Sequence, residues 1–190
     1  MRNNKVKFII LILLFIILAV VLYVNFFKPV EVKKETMEII PTTGEIIKAE
    51  LYFSSQDGMF LATENREIPK AKVINNQIKI VLLELINGPK DTSLVPTIPV
   101  GTKIHDVYID QYNVLYVDFS KEIKENHIGG STAEILTVYS IVNTLTTNFP
   151  EIKQVQILID GNTIDSLAGH IDISEPVKPD FSIVQILQKW

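Results

Sequence analysis

The sequence predicts an α+β domain, a small mixed sheet packed by two main helices, standing behind an N-terminal transmembrane helix. Three observations lead there. One uninterrupted apolar run near the start is long enough to cross a bilayer. Short runs with strand-like alternation recur between residues 49 and 159, and two longer segments carry apolar residues at helical spacing. On pattern alone the arrangement fits an α+β or an α/β sandwich, since each amphipathic helix needs a sheet face to cover its stripe.

The apolar run comes first. Arg2, Lys5 and Lys7 precede seventeen consecutive apolar residues, Phe8 to Val24, with Phe26 and Phe27 just beyond. About twenty residues rising about 1.5 Å each approach the roughly 30 Å hydrocarbon core. A cleaved signal peptide shares the basic start, but its apolar core usually runs about 7–15 residues and ends at a small-x-small site. Here Val20, Val21, Leu22, Tyr23 and Val24 follow Ala19, and the chain has no cysteine to carry a lipid. Lys28, Lys33 and Lys34 after the span are interleaved with Glu31 and Glu35, so the charge bias favours a cytoplasmic N-terminus and an extracytoplasmic remainder. Residues 1–28 therefore read as a cytoplasmic tip and single-pass anchor, touching the membrane through residues 8–27. Residues 29–47, with Pro29, Pro41 and Gly44, read as a stalk, 48–176 as the domain and 177–190 as a C-terminal tail.

Within the domain, Ala49, Leu51 and Phe53 share one strand face, and Asp57-Gly58 before Met59 to Ala62 reads as a hairpin turn. A helix is predicted from Asn75 or Asn76, with Ile78, Val81, Leu82 and Leu85 at helical spacing and Gly88-Pro89 as its stop. Lys103 to Asp110 and Val114 to Phe119 form a second hairpin around Gln111, Tyr112 and Asn113. The strongest helix follows. Ser131-Thr132-Ala133-Glu134 fits a capping box, Ile135, Val138, Tyr139, Val142, Leu145 and Phe149 trace the stripe, and Pro150 closes it. Val155, Ile157 and Ile159 alternate with Gln154, Gln156 and Leu158 before the turn signal Asp160-Gly161. The last apolar stretch, from Phe181, is expected to dock back on the domain or to contact a partner.

Charge narrows the partners. Beyond Lys28 the chain carries 14 basic against 22 acidic side chains, a net charge of −8. A phosphate backbone would be repelled, and no basic cluster compensates, so nucleic acid is not an expected partner. Catalytic patterns are also missing. His105, His127 and His170 show no i, i+3 or i+4 pairing of the kind helical zinc sites use. Gly129-Gly130-Ser131 opens a helix but lacks the lysine of a nucleotide loop, and no Gly-x-Ser-x-Gly elbow is present. The paired carboxylates Asp106 and Asp110, or Glu122 and Glu125, read as solvated surface. No enzymatic activity, cofactor or metal is expected.

Six short blocks then stand in order: Leu85-Ile86-Asn87-Gly88-Pro89, Ile98-Pro99-Val100-Gly101-Thr102, Val117-Asp118-Phe119-Ser120, Gly129-Gly130-Ser131, Val142-Asn143-Thr144-Leu145-Thr146 and Val155 to Gly161. Together, over about Leu51 to Pro176, they resemble the GerMN domain family of spore germination and sporulation proteins. The resemblance implies a fold like the ring-building modules of bacterial secretion and sporulation assemblies, in which helices pack on a small sheet and copies associate through their faces. It implies no catalytic residues. The expectation is a membrane-anchored extracytoplasmic interaction or assembly module, linked to sporulation or germination, that binds envelope proteins or itself. The alternative is a module for cell-wall glycan, peptide or lipid. The candidate contact residues are Gly129, Gly130, Ser131, Asp160, Gly161 and His170.

Overall fold

The computed structural model describes residues 42–185. The proposed anchor, Phe8 to Val24, and the residues after Gln185 lie outside the described residues. Among those described, no helix is long and apolar enough to cross a membrane.

Ten elements follow one another: β1 (Thr42–Ser55), β2 (Leu61–Ala71), α1 (Ile74–Ile86), β3 (Leu94–Val95), β4 (Ile104–Ile109), β5 (Val114–Phe119), α2 (Glu122–Glu125), α3 (Ser131–Asn148), β6 (Gln154–Ile159) and β7 (Asn162–Thr163). The α+β class holds, but there are two sheets where one small mixed sheet was expected. The first has the order β2-β1-β3 and is antiparallel; the second has the order β4-β5-β6-β7, with β5 and β6 parallel. One apolar core serves both. It joins Leu51, Phe53 and Ile68 of the first sheet, Leu115, Val117, Phe119 and Ile157 of the second, Ile78, Leu82 and Leu85 of α1 and Val138, Ile141, Val142 and Leu145 of α3.

Most of the expected elements form within a residue or two of their predicted ends. Helix α1 stops as predicted, with Asn87 as C-cap and Gly88 at φ 79°, a left-handed conformation that suits glycine. Strand β2 differs most. Only its first residues were expected, because Glu64-Asn65-Arg66-Glu67 interrupts the apolar alternation. Arg66 is buried all the same. Its guanidinium pairs with Glu64, bonds the Glu84 carboxylate at 2.8 Å and the Gly88 carbonyl at 3.0 Å, and sits over the Phe53 ring at 5.7 Å. A charge can replace an apolar side chain on the inward face when its partners come with it. Met59 and Phe60 belong to the turn, not the strand.

The stretch read as stalk is strand from Thr42 onward. Its outer end is exposed and irregular in register between Thr42 and Ile46, where Gly44 has φ 83°. Turn-type residues there gave no alternation to read. Helix α3 is buried nearly all round from Glu134 to Leu145, more than the single stripe required. Its polar residues finish the far edge of β1: the Tyr52 N–H donates to Thr144 Oγ1, the Glu50 N–H donates to Asn148 Oδ1, and Asn148 Nδ2 donates to the Glu50 carbonyl. Those backbone groups would otherwise be orphaned beside a helix.

The C-terminal residues dock on the domain as a strap across both sheets. Val177 exchanges backbone bonds with Val155 of β6. Asn143 of α3, fully buried, donates to the Asp180 carbonyl and accepts from its N–H. Leu61 of β2 donates to Ile183 and accepts from Gln185.

Candidate functional site

A cleft of about 710 Å³ opens at the N-terminal end of α3. Three pieces of chain build it. The end of β1 and its turn, through Ser54, Ser55, Gln56 and Gly58, form one wall; the proline-bearing segment Val95 to Val100 forms another; Asn126 to Ile128 and the first turns of α3 close the third. Each wall is held locally. In the turn, Asp57 accepts from the Ser55 hydroxyl at 2.6 Å and the Met59 N–H at 3.1 Å, and these bonds hold its carboxyl below the usual carboxylate range. The Thr102 hydroxyl donates to the Pro99 carbonyl, and Asn126 Nδ2 donates to the Val100 carbonyl, fixing the second wall to the third.

Behind the cleft runs a chain of side-chain hydrogen bonds. The Gly129 N–H donates to His127 Nδ1 at 3.0 Å, and His127 Nε2 lies 3.1 Å from Thr137 Oγ1. The Thr137 hydroxyl donates to the Thr97 carbonyl, the Thr97 hydroxyl to Ser140 Oγ, and the Ser140 hydroxyl to the Thr137 carbonyl. Because Thr137 spends its proton on Thr97, His127 must donate from Nε2, which leaves Nδ1 free to accept from Gly129. His127 is thereby a brace of the loop.

The six candidate contact residues fall into two groups. Gly129 and Gly130 shape the lead-in to α3, both with positive φ, and Gly130 at φ 88° and ψ 148° is the N-cap. Ser131 makes no side-chain cap bond, so the capping box does not form. Its expected partner Glu134 is used otherwise. Fully buried, it accepts from the backbone N–H groups of Ala168 and His170, both at 2.8 Å, and so ties the loop before the strap to the first turn of α3. Burial by itself would raise the Glu134 pKa; the N–H groups of Ala168, His170, Leu167 and Ile171 outweigh it and hold the carboxyl below its ordinary range. Thus His170 is brought to α3 through its backbone, while its ring is exposed.

Asp160 and Gly161 lie elsewhere, in the β6–β7 turn, with φ 48° and 76°. The Gly161 N–H donates to Asp118 Oδ1, and His105 Nδ1 stands 3.6 Å from both Asp118 Oδ2 and Asp160 Oδ1. Among the described residues no cluster of His, Asp or Glu has a metal-holding arrangement.

Sequence reasoning missed the cleft itself. Its exposed apolar residues, Val95, Val100 and Ile128, with Met59 and Phe60 on the neighbouring turn, come from three separate loops and show no periodicity.

Comparison with known proteins gives the chain its relatives. No curated protein matches it. A solved structure of a candidate lipoprotein from Clostridium perfringens is similar at 29% identity, covering 74% of this chain and 92% of that one, with a TM-score of 0.50. The first GerMN domain of the sporulation protein GerM from Bacillus subtilis matches at 24% identity over 70% of this chain and 97% of that domain, with a TM-score of 0.57. The tandem GerMN domains of the same protein match at 21% identity and TM-score 0.57, this chain spanning 46% of the pair. The signature of the Germane family, described as sporulation and spore germination, matches residues 50–165, well over half of the 190. With the fold and the ordered motifs in agreement with that match, the chain belongs to the Germane family of sporulation and spore germination proteins.

Proposed function

We propose that this protein is an extracytoplasmic interaction module, tethered by an N-terminal transmembrane helix, that works by protein–protein contact in sporulation or spore germination. The observation that carries the reading is the group of exposed apolar side chains around the cleft: Val100 is 89% exposed and Ile128 90%, with Met59 at 62% and Phe60, Val95 close by. Exposed apolar side chains gathered around one cleft favour a contact site. Family membership supports the sporulation part. An envelope location is supported by the Clostridium perfringens relative, described as a candidate lipoprotein, while the apolar run Phe8 to Val24 and the lack of cysteine favour a helical anchor here. Binding is favoured over catalysis because the cleft histidine is committed to bracing its loop.

The test has two arms. In a sporulating host, deletion of the gene should lower the yield of heat-resistant spores or slow their germination, and protease added to intact protoplasts should digest the domain. Unchanged spore yield and germination would remove the developmental part; a domain protected until the membrane is opened would remove the topology.

A further inference from the structure

We infer that the cleft receives the apolar face of an α-helix from a protein partner; this rests on the interaction reading above and names the chemistry of its occupant. None of the side chains lining the cleft is an acid, a lysine or an arginine, although the domain is strongly acidic. Charge complementarity therefore points to an uncharged, apolar surface. Most polar side chains in the walls are already engaged: Ser54 donates to the Ser55 carbonyl, Ser55 to Asp57, Gln56 to the Thr92 carbonyl, Thr97 to Ser140, Thr137 to Thr97, Asn126 to Val100, and His127 uses both ring nitrogens; the exposed Thr132 is the exception.

That commitment decides what can enter. An extended peptide brings backbone N–H and C=O groups that need partners once they leave water. The wall it would pair with is the segment after β3, where Pro96 and Pro99 have no N–H to offer, and β3 itself is only two residues long. A helix satisfies its backbone internally and presents only side chains, the recognition mode of a helix seated in a groove. A cleft of about 710 Å³, flanked by the protruding Val100 and Ile128, admits a row of such side chains and offers two apolar flanks to grip the helix. An acyl chain would share the apolar requirement.

The test uses the full-length chain in sporulating cells, with the photoreactive residue p-benzoylphenylalanine at Ile128 and, for contrast, at Lys153. Lys153 is exposed and lies beyond the C-terminal end of α3, which runs about 17 Å from Thr137, the last cleft residue on it, to Asn148. Irradiation at position 128 should give an adduct whose partner peptide has apolar residues at i, i+3, i+4 and i+7, and Val100→Glu should lower its yield by about tenfold or more. Val100 is almost wholly exposed, so that variant leaves the core intact. A partner segment with two-residue alternation, or an adduct of lipid mass, overturns the inference. Protein adducts from position 153 alone sink the inference and leave the interaction reading standing; no protein adduct from either position sinks both.

Discussion

Replacing Glu134 by Gln tests the account of how α3 is fastened at its N-terminal end. The carboxylate is fully buried and accepts from the N–H groups of Ala168 and His170, each at 2.8 Å. Hydrogen bonds to a charged group contribute about 1.5–3 kcal/mol each. Glutamine keeps the shape and one acceptor oxygen but turns an NH₂ group toward the other N–H, so one bond is weakened and the other becomes a donor facing a donor. The expected loss is about 2–4 kcal/mol, a large part of the stability of an ordinary domain. Urea unfolding of the full-length chain in mild detergent, followed by circular dichroism, should show the midpoint falling by about 1–2 M. The pH dependence gives a second reading. The Glu134 pKa lies lower in the folded state than in the unfolded chain, so its contribution is complete above the unfolded value, near about 4.3, and fades as pH falls through the folded one. Other carboxylates, including Asp57, Glu64 and Asp172, are held low as well, so the wild-type curve alone does not isolate it. The gap between wild type and Glu134→Gln does, and it should shrink as pH drops from about 5 toward 3. Ser131→Ala supplies the contrast: a capping box predicts a loss of about 1 kcal/mol, whereas the structure predicts almost none, since Ser131 makes no side-chain cap bond. An unchanged midpoint for Glu134→Gln at pH 7, or a gap that stays constant to pH 3, would refute the reasoning.

Three further outcomes are expected. Val142→Asp should leave no cooperative unfolding transition in urea, because Val142 is fully buried between the two sheets and the charge would have no partner. Arg66→Ala should cost about 3–5 kcal/mol by urea unfolding, since it takes the cation away from the Glu64 and Glu84 carboxylates while Glu64 keeps only its bonds from the Lys90 and Asp91 N–H groups; a loss under about 1 kcal/mol would count against the paired network. Asn143→Ala removes two bonds to Asp180, about 2 kcal/mol in all, and should make the bond after Phe181 more readily cut by chymotrypsin than in wild type while the remaining domain stays folded.

The sequence was informative wherever one face of an element is apolar and the other is not. Strands β4, β5 and β6 and helices α1 and α3 announce themselves through Val107, Leu115, Val117, Val155, Ile157 and the rows from Ile78 to Leu85 and Val138 to Leu145. It was silent where polar residues do buried work. Arg66 and Glu64 hide β2 because an ion pair carries no hydrophobic signal, and Glu134 resembles a capping residue when its true partners are thirty-four and thirty-six positions away. The same holds for Asn143 and Thr144, whose bonds to the strap and to β1 span long separations. Of the candidate contact residues, Gly129 and Gly130 adjoin Ile128 at the cleft, whereas Asp160 and Gly161 are engaged with Asp118 and His105. The cleft needs three loops to meet, and local spacing records nothing of that.

The strap has a mechanical consequence. Strand β1 begins at Thr42 and runs fourteen residues, about 45 Å, to the turn where β2 starts at Leu61; the last described residues, Ile183 to Gln185, are bonded to Leu61 at that far end. A tension applied between Thr42 and Gln185 therefore runs lengthwise along the β1–β2 ribbon. Its ladder is loaded in shear, with many hydrogen bonds resisting together, and is not unzipped one pair at a time. If the first forty residues transmit a pull from a membrane, the β1–β2 ladder meets it in shear.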